Sequence, residues 1–314
     1  VFGCLPVGAA FTPPTVRARF IAPIAKYQKS GAFCFMQQSS SPIKRPVLAF
    51  LTDFGSTDSY VGIMKGVVLT ITADVHLVDI THDVPPQRIA TGAWHLATCY
   101  RYFPVGTIYV CVVDPGVGSA RHPVALYAGD WFFVGPDNGL FSYILAEQPV
   151  HEAVILANSA YHLPHVSTTF HGRDVFSPVA AHIARGVPLS QLGPSIETTS
   201  LQRLNTTAPQ RQGAEIVAHI IHIDHFGNLI TTIPFSQVPD LFTCAAVYLT
   251  FPAQGIVVTE RRLFFSDPSI KDTMRPFLYN GSSGYIAVAI QDGNAAQSLN
   301  VKDGDSVTLA LIEK

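Results

Sequence analysis

The sequence predicts an α/β N-terminal domain on a mainly parallel sheet, followed by a smaller all-β, barrel-like C-terminal domain. Three observations predict it. In the first half, three apolar, β-branched runs each close on an aspartate, with helically spaced stretches between them; that is the rhythm of βαβ units. A polar stretch over 201–213 has no apolar face. Beyond it, short alternating runs follow one another with turn residues between them, as in a sandwich or barrel.

Composition bounds the possibilities. Hydrophobic residues make up 48% of the 314 positions and charged residues 13%, enough for a sizeable core and far from a disordered chain. No apolar run reaches the ~18 residues that a membrane-spanning helix needs. Five scattered cysteines without a CxxC pair argue against a disulfide framework or structural zinc. Residues 1–46 hold six basic groups and no acid, which leaves the remainder with 14 basic and 22 acidic groups, a net of −8. A body that acidic lacks the basic footprint of a nucleic-acid binder.

Residues 1–45 form an extension rich in Pro, Ser and Ala. Two readings stand. It is an organellar transit peptide, or it lies outside the mature protein, with Met36 as a start just ahead of the first strand. The protein is organellar in the first case and cytoplasmic in the second.

The α/β domain is expected over residues 46–200. Val47 to Thr52 reads as a buried strand ending on Asp53. Val61, Met64, Val68 and Ile71 then recur at helical spacing. Val75 to Val78 is a second strand, ending on Asp79. Pro85-Pro86 opens the next helix, with Ile89, Ala93, Leu96 and Tyr100 on its apolar face. The third strand, 107–113, ends on Asp114 and turns on Pro115-Gly116, and Arg121 follows seven positions after the aspartate. Strand carboxyl ends are where open α/β sheets bind ligands, so an Asp114–Arg121 pair there suits a polar reactant; the alternative is a Gly-rich turn with a surface ion pair. Asp53 and Asp79 also suit helix capping or turn initiation. A hairpin follows through Val124–Tyr127 and Trp131–Val134, then a short helix through Phe141, Ile144 and Leu145. His171 precedes Asp174, a candidate N-cap for a helix through Val175, Val179 and Ile183 that Gly186 ends. A histidine there is either a surface loop residue or an acid–base group.

Residues 201–213 are the expected linker, and 214–314 the all-β domain, with strands at 215–223, 229–233, 245–250, 255–260, 284–290 and 306–312. His219, His222 and His225 do not make a metal site. Along a strand at ~3.3 Å per residue, His219 and His225 lie about 20 Å apart, and His222 faces the other way. Asp224-His225-Phe226-Gly227-Asn228 reads as a polar turn carrying one aromatic.

Six stretches now stand in order: Leu51-Thr-Asp-Phe-Gly55, Asp79-Ile-Thr-His-Asp-Val-Pro-Pro86, Val113-Asp-Pro-Gly-Val-Gly118, Gly135-Pro-Asp-Asn-Gly139, Thr169-Phe-His-Gly-Arg-Asp174 and Asp224-His-Phe-Gly-Asn228. Together they resemble the S-adenosylmethionine (SAM) hydroxide adenosyltransferases, water-using relatives of the fluorinase and chlorinase enzymes. The resemblance runs from residue 46 to the C-terminus. It implies hydrolysis of SAM to adenosine and L-methionine by attack of water or hydroxide at C5′. It also implies a homotrimer whose sites lie between the N-terminal domain of one subunit and the C-terminal domain of the next. SAM is then the substrate, with no cofactor or metal, and neither nucleic acid nor membrane is a partner. Carried over residue by residue, the polar triad is Asp114, Arg121 and His171. Asp53 meets the ribose, and Asp58 and Asp224 meet the methionine moiety. Phe226, Asn228, Ser282, Asn294 and Ala296 contact adenine or lie near it. Gln87 stands where the fluorinase has a tryptophan beside the sugar.

The resemblance leaves two alternatives. A SAM-dependent halogenase of the chlorinase type is one, but the fluorinase has an extra loop and lacks this Asp-Arg-His set, whereas here Val124 runs directly through Trp131 to Gly135. A non-catalytic nucleoside-binding protein is the other. A Rossmann methyltransferase is disfavoured, because no Gly-x-Gly-x-x-Gly follows the first strand.

Overall fold

The computed structural model describes residues 45–205, 208–265 and 274–313. The expected extension therefore lies outside the described residues, apart from Arg45, which pairs with Asp74.

The first half is a three-layer α/β unit. Its elements are β1 (Val47–Thr52), α1 (Tyr60–Ile71), β2 (His76–Thr81), α2 (Ile89–Cys99), β3 (Ile108–Val112), β4 (Pro123–Ala128), β5 (Trp131–Pro136), α3 (Ser142–Glu147), β6 (Val150–Ile155) and α4 (Ser177–Ala184). The sheet order is β2-β1-β3-β5-β4-β6. The first four strands run parallel, and β4 runs antiparallel to both β5 and β6. Every residue of β1 is buried, because both faces are covered. Alternation divides its side chains between two cores. Leu48 and Phe50 join Val110, Val112, Met64 and Val179 beneath α1 and α4. Ala49 and Leu51 join Tyr109, Cys111, Ala93 and Leu96 beneath α2 and α3. Each such side chain contributes about 1.5–3 kcal/mol by leaving water.

β1 lies between β2 and β3, so the chain leaves it in one direction and later returns on its other side. This is the topological switch point at which open α/β sheets hold ligands. Thr52 is in register with Val112, so Asp53 and Asp114 flank that crevice. Asp79 differs from expectation, since it lies inside β2 rather than at its end. Its carboxylate is taken by Lys65 and His82, and His82 in turn meets Thr52 Oγ1 at 2.9 Å. Asp79 ties an edge strand to its neighbours.

The second half comprises β7 (Gln210–Gln212), β8 (Glu215–Ile223), β9 (Leu229–Pro234), β10 (Ala246–Phe251), β11 (Ile256–Val258), β12 (Glu260–Arg261), β13 (Pro276–Asn280), β14 (Tyr285–Ile290), α5 (Ala295–Leu299) and β15 (Ser306–Ile312). The order β11-β10-β15-β8-β9-β14-β13-β12 begins and ends on strands separated by Thr259 alone, so the sheet curls almost into a barrel. β8 pairs with β15 through residues 215–219 and with β9 through 220–223, across a bulge. The core includes Ile216, Ile220, Leu249, Phe251, Val288 and Leu309.

The two halves meet where Trp94 of α2 packs on Tyr285 and Tyr143 and His95 meets the ring of His222. Burial, reinforced by His222, pushes His95 down to about 4. The segment expected as a linker is held at its start. Leu201 is buried, and the backbones of Gln202 and Leu204 donate to Asp137 and Ser142. No helix among the described residues is long and apolar enough to cross a membrane.

Candidate active site

Residues 114–121 follow β3 as two successive turns, closed by Val117 N–H on the Asp114 carbonyl and Ser119 N–H on the Gly116 carbonyl. They fold the chain back, so that Arg121 grips Asp114 with two parallel bonds, Nε to Oδ1 at 3.1 Å and Nη2 to Oδ2. The side chains are 9% and 4% exposed. Removing one partner of so buried a pair costs about 3–5 kcal/mol. Asn138 supports the turn from the next strand's end by donating Nδ2 to the Val113 carbonyl at 2.9 Å.

His171 comes from the segment that leads into α4. Here the helix begins not at Asp174 but with a π turn over Gly172–Phe176, and α4 starts at Ser177. Pro178 explains the difference, because it has no N–H for the Asp174 carbonyl and its ring would crowd it. That carbonyl instead accepts from Leu163 N–H at 2.9 Å. The Asp174 carboxylate is fully buried against Arg173 and the Ser167 N–H. Such π turns occur often at functional sites. This one sets His171 Nδ1 2.8 Å from Arg121 Nη2. A guanidinium only donates, so Nδ1 accepts and the neutral ring carries its proton on Nε2. Burial lowers the His171 pKa and the Arg121 charge lowers it further, against a smaller opposing pull from Asp114 and Asp174.

The two loops interlock at Gly118. Its φ is +77°, and a Cβ there would lie 2.4 Å from the Thr168 carbonyl oxygen. The triad thus comes together from two loops far apart in the sequence, with Asp53 at the neighbouring strand end. Asp53 Oδ2 accepts the Gln87 N–H at 2.8 Å. Asp58 is exposed in the bend ahead of α1.

The remaining predicted residues sit on the barrel. Asp224 Oδ1 accepts from the N–H groups of Phe226 and Asn228, and its Oδ2 accepts from the Asn228 amide. Asp224 therefore shapes the β8–β9 turn first, with lone pairs left over for a ligand. Phe226 projects from that turn, 73% exposed. Asn294 caps α5 through the Gln297 N–H and lies against Gly227, while Ala296 N–H donates to the Gly227 carbonyl. Phe226, Asn228, Ile290, Asp292 and Gly293 line a cavity of about 410 Å³. Phe265 lines it too, and the sequence reading missed it; its only signal was the aromatic doublet with Phe264. Ser282 is not brought to this cluster. It sits in the β13–β14 turn at the far end of β14 from the 224–228 loop, about 17 Å along the strand at ~3.3 Å per residue. Among the described residues no three His, Cys, Asp or Glu side chains gather as a metal site.

Comparison with known proteins agrees with this architecture. The profile of the SAM hydroxide adenosyltransferase N-terminal domain matches residues 48–193, and that of its C-terminal domain residues 218–308. An (R)-S-adenosyl-L-methionine hydrolase of Salinispora tropica is 37% identical over 83% of this chain and 96% of its own. A fluorinase of an Actinoplanes species is 27% identical over 84% of this chain and 97% of its own. The crystal structure of an uncharacterized conserved protein from Thermotoga maritima superposes with a TM-score of 0.77 at 31% identity, covering 84% of this chain and 99% of that one. With both family domains matched in order and a curated relative at this identity along most of its length, the chain belongs to the SAM hydroxide adenosyltransferase family.

Proposed function

We propose that the protein hydrolyses SAM to adenosine and L-methionine. The observation that carries this reading is the continuous Asp114–Arg121–His171 contact at the switch point of the sheet, in a chain of this family. Water oxygen bonds to C5′ as the C5′–S bond breaks. The bonding pair stays on sulfur, giving a neutral thioether, and the water gives up one proton.

Each residue has a part. Arg121, bound to both neighbours, holds them in one arrangement. His171, with its proton on Nε2, donates to the incoming oxygen and stabilises its hydroxide character. Its Nδ1 is engaged by Arg121, so it is a poor proton acceptor, and the Asp114 carboxylate keeps the lone pairs for that role. Alignment of water with C5′ supplies ~7–11 kcal/mol of the barrier. Asp53 takes the ribose, Asp58 and Asp224 the cationic amino-acid end, and Phe226, Phe265 and Asn228 the adenine. Asp53 and Asp58 lie on the sheet half, and Asp224 with the adenine-binding group on the barrel, which favours a homotrimer with each site shared between neighbours. Against halogenation stands the tight Gly129-Asp130 turn between β4 and β5, with no inserted loop. Incubation with SAM, with and without chloride, tests the reading. Adenosine and methionine in equal amounts are expected in both cases, and a 5′-chlorinated nucleoside or no product would overturn it.

A further inference from the structure

Among the described residues three non-glycine positions have positive φ: Gln87 at 67°, Asp292 at 56° and Asn300 at 51°. Asn300 ends α5, where such a conformation is common. Gln87 has no such excuse, since a long side chain gains nothing from the left-handed region. It follows Pro85-Pro86 and lies two residues ahead of α2, with Arg88 between, at the third position of a turn closed by Arg88 N–H on the Pro85 carbonyl. What the conformation achieves is an aimed N–H, 2.8 Å from Asp53 Oδ2. The backbone around Asp53 is fixed from another side. Phe54 N–H meets Thr52 Oγ1, and Gly55 N–H meets the His82 carbonyl. A free carboxylate at this place would rotate; this one has a single oxygen pinned by a charge-assisted bond.

We propose that Gln87 is a positioning residue for the sugar: its left-handed backbone pins one oxygen of Asp53 and so presents the other to a ribose hydroxyl. This rests on the assignment of Asp53 to the ribose made above. The side chain of Gln87 has no part in it. Only the N–H and its direction matter.

The test uses Gln87→Pro, which lacks the N–H and cannot adopt positive φ, and Gln87→Val, which keeps the N–H but resists the conformation. Gln87→Gly keeps both and is the rescue. KM and kcat are measured with SAM and with its 2′-deoxy and 3′-deoxy forms. Gln87→Pro should raise KM for SAM about tenfold, the loss of one hydrogen bond to a charged group, with kcat little changed and a smaller penalty for one deoxy substrate. Gln87→Val should shift the same way by less, Gln87→Gly should match wild type, and Gln87→Pro should add nothing to Asp53→Ala. If Gln87→Pro does not fold, Gln87→Val carries the test. Folded variants with wild-type KM and ribose discrimination, beside an active wild type, would overturn the proposal alone. So would a Gln87→Gly defect as large as that of Gln87→Pro. A wild type that does not turn over SAM would overturn the functional reading, and the proposal with it.

Discussion

Asp114→Asn keeps the shape of the side chain while removing the charge that Arg121 grips. The kcat should fall about 10²-fold or more, the range for a lost acid–base group, and the dissociation constant for SAM should barely move. Single-turnover kinetics beside equilibrium binding separates the two, and a normal kcat would remove Asp114 from the chemistry. His171 sets the pH dependence. Its pKa lies below the ordinary 6.5, so the ring is neutral at neutral pH and protonates only as pH falls through that lowered value. Protonation at Nδ1 ends its acceptance from Arg121 and sets two cations together. The pH–rate profile should therefore carry an acid limb below pH 6.5 that is absent in His171→Gln. Single residues were unequally legible. Asp114 and Arg121 announce themselves by a strand end, a Pro-Gly turn and a short return. His171 has only a weak local signal, the Gly172-Arg173-Asp174 that follows it, and the family motif is what separates it from a loop histidine. Asp79 misled because it interrupts the apolar run after Val78, whereas an edge strand tolerates exposed residues and β2 continues to Thr81.

Elements hold the triad together by close approach. Gly118→Ala would force a Cβ into the Thr168 carbonyl at a φ that disfavours it. The loop after β3 should move off the segment carrying His171, with a stability loss of about 1–3 kcal/mol and a kcat loss larger than any change in SAM affinity. Thermal melting and steady-state kinetics check this, and an unchanged kcat would show that the interlock is dispensable. The βαβ elements and most barrel strands were legible because helical spacing and apolar or alternating runs stand out between turn residues. α5 was not, since five residues held by the Asn294 cap are too short to show a period. The π turn at Gly172–Phe176 was missed as well. Asp174 looks like a cap, and the deciding residue, Pro178, acts through the bond it cannot make.

At the scale of the molecule, the barrel stands on α2 through Trp94, His95, His222 and Tyr285. His95 is neutral in the fold down to about pH 4 but titrates near 6.5 when unfolded. Its contribution to stability is whole above pH 6.5, declines as pH falls, and is gone by about pH 4. His95→Phe should therefore lose less melting temperature than wild type between neutral pH and about pH 4. Equal losses would show that the interface is insensitive to that charge. The division of site residues between sheet and barrel predicts a trimer by light scattering, with SAM binding lost on dilution to monomer. A monomer that binds SAM would refute shared sites. The central claim is that water attacks C5′, and it is tested most directly by turnover of SAM in water enriched in heavy oxygen, with mass analysis of both products. The account predicts one heavy oxygen on the 5′-hydroxyl of adenosine and none on methionine; unlabelled adenosine, or label on methionine instead, would contradict it.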